Sequence, residues 1–283
     1  MSMGFFCYGA SDMLGKLLTE QFNPLQIAWT RQLGLFTGIM VLLLMRGPKM
    51  LRSHTPGLQI ARGLTVVVAG SCFVGAIAYI PLADATVVSF ITPFIVVVLA
   101  AIFLGEEFGI QRWIAVAFGF IGTLIVIRPG MNAFHPAIFL VLLSATAFAI
   151  RQIISRTLSG GDRLVTTIAY TTITATLVLS LPLPFIWQSP TSLTVVLLMV
   201  GVACMAGCAE LCIIHALDLG EAMVLSPLQY TLIIWSTMWG ALVFGQLPDI
   251  WTVVGTAVII ASGIYSLYHE TRPARPGPLP PTG

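Results

Sequence analysis

The sequence predicts an all-α integral membrane protein: ten transmembrane helices arranged as two inverted five-helix repeats. Three observations carry this. Only 8% of the 283 residues are charged and 57% are hydrophobic, whereas soluble domains need about 25% charged residues to cover their surface. The apolar residues gather into runs of about 20, the length that crosses a hydrocarbon layer. The chain also echoes itself. LADATVVS (82–89) returns as LGEAMVLS (219–226), and FLGEEFGIQRW (103–113) as VFGQLPDIWTV (243–253), with Gly105 matching Gly245. An odd-numbered unit copied within one chain inserts its second copy upside down, the inverted-repeat plan of secondary transporters. The expected units are residues 1–130, residues 131–268 and a proline-rich cytoplasmic tail, 269–283, too rich in proline to stay helical.

The expected spans are 3–19, 25–45, 61–81, 84–104, 111–128, 136–157, 163–187, 193–215, 221–244 and 250–268. The first begins almost at Met1, with no basic leader or cleavage-like site. It carries Asp12 and Lys16 four residues apart, on one helix face. Each isolated charge at mid-bilayer costs about 2.5–3.5 kcal/mol. Either the two pair with each other, with Lys16 reaching to the outer headgroups, or their face lines a wet cavity. The second span carries Arg31. The longest connection, RGPKMLRSHTPG, follows it.

Asp84 opens the fourth span and Glu221 the ninth, both read as helix caps. Pro93 interrupts the fourth span and Pro227 the ninth, freeing backbone carbonyls that only protein or water can satisfy at that depth. Ser89 and Thr92 beside the first break, and Ser226, Gln229 and Tyr230 beside the second, are candidate cavity residues. Glu106 and Glu107 close the fourth span at the inner face, either solvated or paired to Arg112. Ala115 with Gly119, and Ala257 with Ala261, suit close helix contact or a dimer face.

The sixth span holds Arg151, at the counterpart of Asp12 when the halves are aligned through NPLQ and DRLV. It either shares a central site with Asp12 or snorkels to the surface. The eighth span holds Glu210 and a stripe of Cys204, Cys208 and Cys212. No CxxC accompanies that stripe, so packing outweighs a metal, and neither metal nor cofactor is expected. All five cysteines lie in apolar runs, which excludes a disulfide framework. Trp235 and Trp239 share a face of the ninth span, for packing or for stacking on a flat solute. Tyr79 and His215 are weaker candidates.

Lysine and arginine set the orientation. With both termini cytoplasmic, the inner regions hold Arg46, Lys49, Arg52, Arg62, Arg112, Arg156, Arg163, Arg272 and Arg275, and the outer regions only Arg128. A bacterial cytoplasmic (inner) membrane is the expected location.

The stretch YIPLADATVVSFITPFIVVVLAAIFLGEEFGIQRWIAVAFGFIGTLIVIRPG (79–130) resembles the hallmark segment of EamA-type carriers of the drug/metabolite transporter superfamily. Lys16, Pro24 and Arg31 resemble that family's opening helix pair, and Arg156 the arginine closing its sixth helix. PLQYTLIIWSTMWGALVFGQLPD (227–249) resembles the matching copy. Asp12 and Lys16, with PLADAT and RPG, look closest to a bacterial subgroup that includes riboflavin and S-adenosylmethionine uptake carriers. The resemblance covers roughly 3–268 and implies ten helices, a central cavity and transport of small organic solutes. It also suggests a packing or tethering role for Arg31. One departure is Gln246, where the first copy has Glu106.

The function expected is secondary active transport of a small polar metabolite (vitamin, amino-acid or nucleoside-like) by alternating access, with a proton or ion as coupling species at Asp12 or Glu210. An exporter or exchanger of the same fold is the alternative, and a channel or structural subunit the rival class. GxxxxGK[ST], HExxH and GxSxG are absent, and EEFGIQR departs from the EExxxR of glutamate-type membrane proteases. An enzyme is therefore not expected. The expected partners are the metabolite, the bilayer and a second copy of the chain, with no nucleic acid.

Overall fold

The computed structural model describes residues 1–106, 108–128, 135–158, 162–219 and 226–270. Every regular element among them is helical. The helices are α1 Ser2–Leu18, α2 Pro24–Arg46, α3 Pro56–Ile77, α4 Leu82–Ser89, α5 Thr92–Phe103, α6 Ile110–Ile127 and α7 Ile138–Leu158. They continue with α8 Leu164–Ser180, the single turn α9 Leu183–Ile186, α10 Leu193–Leu219, α11 Thr231–Phe244 and α12 Ile250–Glu270. Among the described residues, six helical stretches are long and apolar enough to cross a membrane, and shorter apolar helices cover 164–180, 228–244 and 250–266. Large apolar side chains face outward along them, among them Leu44, Leu177 and Leu242. Such a belt is stable only against lipid.

Local chemistry sets the helix ends. Asn23 caps α2 by accepting from the Leu25 amide at 3.0 Å, and Pro24 takes the first position. Proline also opens α3 at Pro56, so that helix starts before the expected residue 61 and takes Arg62 into its body. Gly105 and Gly245 adopt left-handed φ of 65° and 64° after α5 and α11. Beyond each glycine the next amide bonds six residues back, Glu106 to Ala100 and Gln246 to Gly240. These are matching helix terminators that need a residue without a side chain.

The span with Pro93 breaks at residues 90–91. The Ser89 carbonyl that Pro93 leaves without an amide accepts the Thr92 hydroxyl at 2.7 Å, and the Ser89 hydroxyl donates to the Thr86 carbonyl. Asp84 lies in the first turn of α4, but Pro81 holds the cap position and the Asp84 side chain makes no cap bond. Glu221 and Glu107 lie outside the described residues, as does the tail beyond 270.

The most extensive packing joins α6 to α12, α1 to α10 and α3 to α7. Small residues allow it. A side chain at Gly34 on α2 would strike the Ala203 backbone of α10, and one at Gly63 on α3 would meet Thr174 of α8 at 2.6 Å. The α6–α12 contact runs through Gly122, Gly255 and Ala115, whose carbonyl accepts the Ser262 hydroxyl at 2.6 Å. Ala257 and Ala261, expected in a helix contact or a dimer face, face outward from this bundle. A buried core gathers residues of α1, α3, α4, α5, α6, α7, α11 and α12, including Ile77, Val88, Phe94, Val141 and Ile259.

Candidate functional site

The helix faces bring a tract of charges together deep in the bundle. Tyr8 and Asp12 lie four residues apart on α1. Asp12 is 4% exposed and forms an ion pair with Arg31 of α2, whose side chain keeps 20% of its surface. The Arg31 guanidinium lies over the Tyr8 ring, 5.4 Å from its centroid. The Tyr8 hydroxyl donates to Glu210 of α10. On α3, Arg62 donates from Nε to the Ser155 hydroxyl of α7 at 2.7 Å and from Nη1 to the Thr171 hydroxyl of α8. Arg151 of α7 lies over the Phe148 ring at 4.2 Å, within electrostatic range of Tyr8 and Arg62. Tyr8, Arg31, Arg62, Arg151 and Glu210 all keep partial exposure. Asp12, Arg31, Arg151 and Glu210 were expected at a shared site. Tyr8 and Arg62 were not. Tyr8 sits one turn from Asp12 on the same face, which is the signal that could have found it. Arg62 falls in the first turn of the expected span 61–81 and counts there as an inner-surface charge, whereas the helix starts at Pro56 and carries Arg62 deeper.

Asp12 and Lys16 do not pair. The ammonium of Lys16 turns the other way, donating to the Ile80 carbonyl at 2.6 Å and to Gln246 Oε1 at 3.3 Å, with the Phe244 ring at 5.3 Å. At 9% exposure it reaches no headgroup. Asp84 is within electrostatic range of Lys16 and accepts the Thr252 hydroxyl at 2.8 Å. Arg128 closes the same end through an ion pair with Asp249. At the opposite end Glu106 faces Arg156 at 3.3 Å.

The other candidates lie outside the charge tract. The Ser89 and Thr92 hydroxyls satisfy the carbonyls around the break at Pro93. Tyr230 stacks on Phe90 at 5.1 Å and packs against Gly263. Gln229 is half-buried in the adjoining 3₁₀ turn. Trp235 and Trp239 hold Phe6 of α1 at 5.1 and 5.6 Å, and neither indole N–H finds an acceptor among the described residues. Cys204 and Cys208 are exposed and free. Among the described residues no group of three or more His, Cys, Asp or Glu is placed to hold a metal ion. Tyr79 stacks on His135 at 5.6 Å.

At the arginine-rich end, loop 46–56 is tied to the start of α8. Asp162 accepts the Ser53 hydroxyl, the Gln59 amide at 2.8 Å and the His54 backbone amide at 2.9 Å. These bonds, that of Ser53 foremost, hold its carboxyl below the usual carboxylate range. Thr166 and Tyr170 donate to the Met50 and Leu51 carbonyls at 2.9 and 3.0 Å. At the opposite end, Gln26 at the start of α2 exchanges two bonds with the backbone of Gln188, at 2.8 and 3.0 Å.

The sequence matches the model of the EamA-like transporter family over residues 1–128 and again over 135–268. It is 27% identical to a protein of Rickettsia felis named S-adenosylmethionine uptake transporter, over 93% of this chain and 89% of that one. A protein of Vibrio cholerae named riboflavin transporter is 28% identical, over 80% of this chain and 76% of that one. A protein of Pseudomonas aeruginosa named pseudopaline exporter is 29% identical over 80% of each. One solved crystal structure superposes with a TM-score of 0.59 at 18% identity, over 94% of this chain and 96% of that one, a likeness of fold alone.

Proposed function

Because this chain belongs to the EamA-like transporter family, we propose that it is a secondary active carrier for a small polar metabolite, working by alternating access in a bacterial inner membrane. The observation that carries this reading is the mixed-charge tract shared by α1, α2 and α3 with α7, α8 and α10. Acidic groups (Asp12, Glu210) and basic groups (Arg31, Arg62, Arg151) meet there, Asp12 buried and the other four partly exposed. Such a tract suits a zwitterion, whose ammonium and carboxylate each find an opposite charge. Trp235 and Trp239 of α11, packed against Phe6 with buried indole N–H groups that find no acceptor among the described residues, are candidates for stacking on a flat solute if Phe6 moves. S-adenosylmethionine, which joins an amino-acid end to a nucleoside, is therefore the first substrate to assay.

Inversion of two five-helix halves, 1–130 and 131–268, into a ten-span bundle is supported by the packing. If α1 corresponds to α7 and α3 to α10, then the α1–α10 contact is the image of the α7–α3 contact. The equal φ of Gly105 and Gly245 supports the same correspondence. Under this reading both termini face the cytoplasm, and the arginine-rich end is the inner one.

The test is uptake into proteoliposomes. We expect saturable S-adenosylmethionine uptake that responds to an imposed pH gradient, with Glu210→Gln and Asp12→Asn each abolishing uphill accumulation. If both variants still accumulate substrate in a pH-dependent way, carboxylate coupling is wrong. Export is the second reading, favoured by the relative named as an exporter. Loading the substrate inside the vesicles and measuring efflux distinguishes the two directions.

A further inference from the structure

A cavity of about 500 Å³ lies at the arginine-rich end, between the close of α2, loop 46–56 and the start of α8, outside the charge tract. Arg46, Arg52 and Arg163 line it with His54, Asp162 and Met50. All three arginines are exposed, and none has an ion-pair partner among the described residues. The one carboxylate in the wall, Asp162, is turned to Ser53, Gln59 and His54 and offsets only one of the three positive charges. Three guanidinium groups around a concave space, outnumbering its one carboxylate, form a site for an oxyanion.

Its position selects the source of that oxyanion. Leu44 and Met45, on the last turn of α2, are 83% and 77% exposed, and Leu164, on the first turn of α8, is 51% exposed. Apolar surface meant for acyl chains thus lies directly beside the basic cavity. Loop 46–56 is not a loose flap, because Asp162, Thr166 and Tyr170 fasten it to α8.

We propose that this cavity binds the phosphate of an anionic phospholipid headgroup from the adjoining leaflet, with Arg46, Arg52 and Arg163 as its ligands. Basic pockets between membrane helices hold such headgroups elsewhere. A lipid bound here bridges the loop after α2 and the first turn of α8, and so stabilises the contact between them.

The test uses the full chain, purified in detergent and stripped of lipid. It is titrated in separate arms with phosphatidylglycerol, phosphatidylcholine and inorganic phosphate, and read by thermal unfolding and native mass spectrometry. We expect saturable phosphatidylglycerol binding that raises the unfolding temperature, with little response to phosphatidylcholine or inorganic phosphate. Arg46→Gln, Arg52→Gln and Arg163→Gln should each weaken phosphatidylglycerol binding about fivefold while unfolding like the wild type without lipid. Arg156→Gln, an arginine of the same end outside the cavity, should bind like the wild type. An equal response to inorganic phosphate overturns the lipid assignment. Arg156→Gln weakening binding as much as the cavity variants, or wild-type binding by all three cavity variants, overturns the site.

Discussion

Two contacts at opposite ends of the bundle share one design and differ in surroundings. At the arginine-poor end, Lys16 near the close of α1 reaches Gln246, the residue after the left-handed Gly245. At the arginine-rich end, Arg156 near the close of α7 reaches Glu106, the residue after the left-handed Gly105. In each, a cation ending the first helix of one half touches the residue after the helix-stopping glycine of the other half. The first contact is buried, with Lys16 9% exposed and further held by the Ile80 carbonyl. In the second, the side chains of Arg156 and Glu106 keep 43% and 39% of their surface. An ion pair that open to water contributes less than about 1 kcal/mol, whereas a buried ammonium bonded to a carbonyl is costly to leave unmatched. The architecture repeats, and burial decides what each copy is worth.

The largest effect is expected where burial is deepest. Asp12→Ala leaves Arg31 without its carboxylate inside the bundle and should destabilise the protein by about 3–5 kcal/mol, read as a lower unfolding temperature in detergent. If Asp12→Ala unfolds no earlier than Glu106→Ala, burial is not what separates the contacts. Next comes a swap that gives the buried contact the carboxylate of the exposed one. Gln246→Glu gives Lys16 a carboxylate partner and should strengthen that contact by about 1.5–3 kcal/mol, raising the unfolding temperature while slowing uptake in proteoliposomes. The reverse swap, Glu106→Gln, should shift stability by less than about 1 kcal/mol, and uptake assays should detect it more readily than melting does.

The smallest effect is a pH dependence at Asp162. Its folded-state carboxyl is held below the unfolded value, so its contribution is present above about pH 4 and fades as the pH falls through the folded value. Asp162→Asn should flatten that part of the acid limb of the unfolding profile, and an unchanged limb would mean that the bonds from Ser53, Gln59 and His54 do not form in solution.

Hydropathy and periodicity are local properties, and they placed the helices. Among the described residues most helices lie within a few residues of the expected spans, and the break at Pro93 falls in the span expected to carry it. The departures follow other prolines: Pro56 starts α3 five residues early, and helix α8 ends at Ser180, ahead of Pro182. The echo of Gly105 in Gly245 was also legible, because a left-handed helix end selects glycine in both copies. The partners were not legible. Helical spacing allowed Asp12 to pair with Lys16, yet Asp12 chose Arg31, Lys16 chose a residue 230 positions away, and Tyr8 met Glu210 across 202 positions. Sequence alone determined which helices carry charge and how deeply. Tertiary packing decided which charges meet, because a helix face offers a residue several neighbours and only the approach of other helices at small residues such as Gly34 and Gly63 selects among them.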